Sequence, residues 1–148
     1  MMLLVVLLPA SFVSCDDAED GEDWDTWVMR NMLDSKWSLE SVKVDGVFRS
    51  MGEEGFDFYY DMDLKASGRT FKAHRFFYKD NVKDESTEVR KSGTYTIDEK
   101  NKTIEATDND GNKFFRLSDI EFSTGSMSAT ITFYDLNQTY EVTLARSL

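Results

Sequence analysis

The chain has one cysteine, one histidine and one proline. A lone imidazole, His74, leaves most zinc sites without their second histidine, and no cysteine stands ready to make a thiol dyad with it. Basic residues are scarce: 17 Lys and Arg face 28 Asp and Glu, for a formal charge of −11. Such a balance repels phosphate backbones and anionic headgroups, so nucleic acid is not an expected partner. A length of 148 residues leaves room for one folded domain and excludes a multidomain enzyme. The 41% hydrophobic and 14% aromatic content is too high for a disordered chain.

The single proline, Pro9, sits in an apolar run from Leu3 to Ser14 that stops at Cys15. The run is too short to span a bilayer, which takes roughly 20 residues, and fits the apolar core of a secretory signal peptide. Phe12-Val13-Ser14-Cys15 resembles the end of a bacterial lipoprotein signal. That resemblance implies cleavage after residue 14 and attachment of lipid (palmitate) to Cys15, which accounts for an odd thiol in an exported chain. No Lys or Arg precedes the run, so the translated start is expected upstream. Residues 16–23 carry six carboxylates in eight positions, an extended acidic tether; without them 22 acids face 17 bases, a net −5. An acidic stretch behind the lipidated cysteine resembles the signal that exports lipoproteins to the outer face of the outer membrane. The implied organisation is a signal at 1–14, a tether at 15–23 and a folded domain at 24–148, lipid-anchored at the cell surface.

From Trp24 to Asp34, apolar Trp24, Trp27, Val28 and Met32 recur at helical spacing, and Asp23 or Asp25 can cap the start. A short helix at 24–34 is expected, its aromatic stripe packed on the domain. The remainder is strand material without proline. Turn signals at Asp45-Gly46, Gly52 to Gly55, Ser67-Gly68, Glu99 to Lys102, Asp110-Gly111, Ser123 to Ser126 and Leu136-Asn137 separate eight runs. Their spacing of about 14 residues suits a meander, with sequence neighbours paired in space.

Register follows from the turns. A loop at Ser67-Gly68 sets Leu64 opposite Phe71, Met62 opposite Ala73, Tyr60 opposite Arg75 and Phe58 opposite Phe77, with Asp63–Lys72 and Asp61–His74 on the other face. The turn at Asp110-Gly111 sets Ala106 opposite Phe115 and Ile104 opposite Leu117; that at Glu99 to Lys102 sets Ile97 opposite Ile104 and Tyr95 opposite Ala106. A two-residue loop at Leu136-Asn137 would pair Phe133 with Tyr140, Ile131 with Val142 and Ala129 with Leu144. Eight antiparallel strands with one apolar face hide their edges by closing into an up-and-down barrel. The connections at 45–55 and 79–89 would then be the longest, both on one rim, where binding commonly sits.

A short helix, then Lys36-Trp37-Ser38-Leu39 opening the first strand, the meander, and Arg146 on the last strand together resemble the lipocalin-like domains of bacterial surface lipoproteins. The resemblance spans about residues 24–148. It implies that Trp37 closes the barrel floor with Arg146 lying over it, a cation–π contact; Ser35 stands where the family has glycine.

Candidate chemistry is thin, and no catalysis, cofactor or metal is expected. His74 faces outward toward Asp61. Asp57, Asp61 and Asp63 share that outward face and read as solvated rather than as glycosidase carboxylates. Asp108-Asn109-Asp110-Gly111 lacks the spacing and glutamate of a calcium loop and reads as a hairpin turn, as do the sequons at Asn101 and Asn137. The informative residue is Arg75, charged and inward beside Tyr60. It must be paired, either by an internal carboxylate or loop carbonyl or by an anionic ligand head, with Phe58, Met62, Phe77 and Tyr95 around the ligand's tail. Two functions follow. One is a monomeric binding module for a small, mainly apolar or carboxylate ligand; the other is a filled barrel contacting a protein or glycan at the cell surface.

Overall fold

The computed structural model describes residues 23, 24, 26–28, 34–50 and 57–147. The signal segment, Cys15, the tether through residue 22 and Met32 lie outside the described residues. Among the described residues nine antiparallel strands follow in order: β1 (Ser35–Val44), β2 (Val47–Ser50), β3 (Phe58–Lys65), β4 (Thr70–Lys79), β5 (Val82–Asp98), β6 (Thr103–Asp108), β7 (Lys113–Ser123), β8 (Ser126–Phe133) and β9 (Gln138–Ser147). Strand β1 pairs with β3 at its start and with β9 along its length, and β3 through β9 pair in sequence order. Eight strands thus close an all-β barrel, and β2 is an additional short strand on the far half of β1.

Closure rests on alternation. Strand β3 buries Phe58, Tyr60, Met62 and Leu64, and β8 buries Met127, Ala129, Ile131 and Phe133, one residue in two. Fully burying each large apolar side chain stabilises the fold by roughly 1.5–3 kcal/mol. Bulges at Leu39/Ser41 in β1 and between Ser118 and Glu121 in β7, where Asp119 has φ +52°, bend the strands as a closed sheet requires.

The floor is built as the first and last strands meet. Trp37 stands directly opposite Arg146, whose guanidinium lies 5.8 Å from the indole centroid. Arg146 Nε donates to Ser35 Oγ at 2.7 Å, so the serine holds the arginine over the ring. Residues 24 and 26–28 are helical: Thr26 N–H donates to Asp23 Oδ1 at 2.8 Å, an N-cap that holds the Asp23 carboxyl below its usual range. Trp24 and Val28 are buried, and the Trp27 ring meets Phe122 edge-on at 5.4 Å, so this stripe packs on the domain.

The registers expected at β3–β4, β5–β6 and β6–β7 are those observed. Three expectations are corrected. Strands β8 and β9 pair Ile131 with Tyr140, Ala129 with Val142 and Met127 with Leu144, two residues away from the expected register. The loop is four residues, Tyr134 to Asn137, with Asn137 at φ +53° donating to the Tyr134 carbonyl at 3.3 Å; asparagine tolerates that left-handed backbone. The supposed rim loop 79–89 is a two-residue turn at Asp80-Asn81, both with positive φ, from which β5 runs at once. The 45–55 connection likewise contains β2, folded back on β1 through Asp45-Gly46.

Candidate functional site

The inward face brings Arg75 beside Tyr60, as the register requires. Arg75 is 1% exposed and is already paired: Nη1 donates to Asp135 Oδ1 at 3.0 Å and Nη2 to Oδ2 at 2.5 Å. Asp135 lies in the β8–β9 turn and reaches over the barrel mouth to meet it. The guanidinium also lies 4.7 Å from the Phe133 centroid and 5.4 Å from that of Phe114. Fork-shaped pairing and ring stacking together satisfy a charge that burial would otherwise penalise heavily.

The residues expected around a ligand tail pack instead against one another. Phe58 contacts Tyr140 at 4.8 Å, Phe77 at 5.7 Å and Phe133 at 6.3 Å. Tyr60 meets Phe133 at 5.0 Å, its hydroxyl donates to Met62 Sδ at 3.6 Å, and burial pushes its ionisation well up. From there the rings cross to Phe115 on β7, the opposite wall, and return to Phe71 on β4. Arg75, Phe58, Tyr60, Met62 and Phe77 thus form one cluster. Tyr95 is buried in the same core, and its hydroxyl donates to the Lys65 carbonyl at 3.0 Å near the floor end of β5.

The outward face holds what sequence reasoning undervalued. Two cross-strand rows run over β1, β3, β4 and β5: Lys36–Asp63–Lys72–Ser92 and Ser38–Asp61–His74–Arg90. All of these but Ser38 line a depression of about 330 Å³ containing four cations, Lys36, Lys72, Arg90 and Lys91, against two aspartates. A second depression of about 370 Å³ shares Asp63, Lys72 and Ser92 and continues toward Lys65, Thr70 and Asn109. His74 opposes Asp61 in register, but its imidazole bonds Glu88 Oε2 at 2.6 Å rather than Asp61. Glu88 also accepts from Lys83 at 2.8 Å and Arg90 at 3.4 Å, and these contacts, Lys83 foremost, pull its carboxyl down to about 2.

Asp61 is not the solvated carboxylate expected. It is 8% exposed and takes the Tyr59 hydroxyl. Tyr59 in turn stacks on Phe76 at 4.9 Å, and both rings lie 5.5 Å from His74. The register that placed Phe58 opposite Phe77 also placed Tyr59 opposite Phe76, so this outer aromatic cluster was readable. Asp135 was not, because alternation says nothing of where a turn residue reaches.

The Asp108 turn is a hairpin: its carboxylate accepts from the Asp110 and Asn112 amides at 2.9 and 3.0 Å, which holds it below the usual range. Among the described residues no group of three His, Cys, Asp or Glu side chains is placed to hold a metal ion, and no helix is long and apolar enough to cross a membrane. No family model matches the chain, and no curated protein matches it.

Proposed function

We propose that this chain is a lipid-anchored, non-catalytic lipocalin-like module whose barrel is filled and whose contacts are made by its outer wall at the bacterial cell surface. The observation that carries this reading is the interior itself: aromatic side chains meet from wall to wall, and Arg75, a buried inward charge, is held by Asp135. A small-molecule site needs a cavity of roughly 300 Å³ or more with a few unspent polar groups; here the polar group at the mouth is spent. The alternative reading, a small carboxylate ligand within the barrel, requires Asp135 to give up Arg75 and several rings to move. Anchoring through Cys15, exposure on the outer membrane and the spacing role of residues 16–23 complete the proposal, supported by the apolar run and the acidic stretch behind it.

The test is a titration of the purified protein with a fluorescent fatty acid. The filled-barrel reading expects no saturable uptake, whereas stoichiometric binding that is lost in Arg75→Met would return the function to the interior.

A further inference from the structure

The geometry points to a binding site for an anionic glycan, a chain of sugar rings bearing carboxylate or sulfate groups, in the groove on the outer wall of β3, β4 and β5. This inference rests on the reading that the outer wall makes the contacts, and it names the chemistry of the occupant.

Charge is the first argument. In a chain of net charge −11, the groove is a local reversal. Its two aspartates are occupied from within: Asp61 takes the Tyr59 hydroxyl and lies 3.9 Å from Lys36 Nζ, and Asp63 lies 3.8 Å from Lys65 Nζ. Glu88 is shared among Lys83, His74 and Arg90, so the Arg90 guanidinium, 70% exposed, keeps donors to spare. Lys72, at the centre of the groove, makes no ion pair among the described residues. Lys91 is taken by Asp108 at 3.5 Å, so Lys72 and the exposed Arg90 are the cations that an incoming anion would meet.

Shape and neighbours decide which anion. The two depressions share Lys72, Asp63 and Ser92 and so form one elongated trough, suited to an extended chain rather than a single small ion. At one end His74 leads into the Tyr59–Phe76 ring pair, apolar surface of the kind that the C–H face of a sugar covers. Along it Ser92 and Thr70 present hydroxyls that match ring hydroxyls in both donating and accepting. An extended acidic peptide is less well matched, because β4, which forms the floor, is paired along both edges and offers no backbone for strand addition.

The test uses the full chain in detergent, titrated by calorimetry with a galacturonate tetrasaccharide, a sulfated glycosaminoglycan tetrasaccharide, a neutral galactose tetrasaccharide and a tetraglutamate peptide. The inference expects saturable binding of at least one anionic sugar. That affinity should weaken as salt rises and should exceed those for the neutral sugar and the peptide. Lys72→Gln with Arg90→Gln removes two exposed cations without touching the core, and should weaken binding by about tenfold or more. Removing the same charge elsewhere, by Lys79→Gln with Lys100→Gln, should leave it unchanged. No binding of either anionic sugar, equal binding of the peptide, or indifference to the groove substitutions would overturn the site. Failure of the filled-barrel reading shows separately, as fatty-acid uptake that the groove substitutions do not alter.

Discussion

Asp135→Ala is expected to destabilise the protein more than Arg75→Met, although Arg75 is the larger and more deeply buried residue. Losing the carboxylate strips two hydrogen bonds from a guanidinium that is 1% exposed and leaves the positive charge in an aromatic cage. Breaking one half of a buried pair costs roughly 3–5 kcal/mol. Asp135 is itself 35% exposed, so water admitted at the mouth recovers part of that, and about 2–3 kcal/mol remains. Arg75→Met removes the charge, fills similar space with an apolar chain and disposes of Arg75 Nε, which has no hydrogen-bond partner in the structure. Its cost should stay under about 1.5 kcal/mol, the scale of a volume-conserving core change. In the Arg75→Met background Asp135→Ala should then cost little, because the two act as one unit. Urea denaturation followed by tryptophan fluorescence measures all four proteins. If Arg75→Met proves as costly as Asp135→Ala, or if the two changes add, the carboxylate is not what makes the buried arginine tolerable and the reasoning fails.

Trp37→Ala should cost about 3–5 kcal/mol, and Arg146→Ala much less in that background than alone, since the guanidinium then has no ring to cover; strict additivity in urea melts would deny their contact. Gly93→Ala should be strongly destabilising, because its Cβ would stand 2.0 Å from the Thr107 carbonyl oxygen where the β6–β7 turn closes over β5; a melting temperature within a degree of wild type would contradict that packing. Glu88 has its carboxyl pulled from 4.5 to about 2 in the folded protein. A depressed acid stabilises the fold above its unfolded pKa and loses that contribution as pH falls through the folded one. The loss therefore lies between about pH 4.5 and 2, and Glu88→Gln should flatten the stability profile in that window alone. Cys15→Ser should release the protein from membranes or leave it uncleaved, read by fractionation and intact mass; unchanged anchoring would remove the lipoprotein proposal.

Much of the barrel was legible because alternation and turn chemistry agree. At β3–β4 the Ser67-Gly68 turn, the apolar pairs and the Asp63–Lys72 pair all select one register. At β8–β9 the same logic slipped by two. Phe133, Ile131 and Ala129 are all apolar, as are Tyr140, Val142 and Leu144, so a shift of two changes no face and the pattern cannot see it. The start of β5 was missed for a different reason. Val82 to Glu88 is almost wholly polar, and only Val89 packs partly on the core, so no buried face imposes a period there; only the positive φ of Asp80 and Asn81 reveals the turn. Arg75 was legible as an inward charge in need of a partner. Its partner was not, since Asp135 arrives from a turn 60 residues away.

The most direct measurement is native mass spectrometry of the protein extracted gently from its own membrane, with its core satisfied by its own side chains as the account holds. The account predicts the mass of the lipidated chain from Cys15 onward and nothing bound within. A small molecule retained in stoichiometric amount by wild type, and released by Arg75→Met while the fold persists, would contradict it.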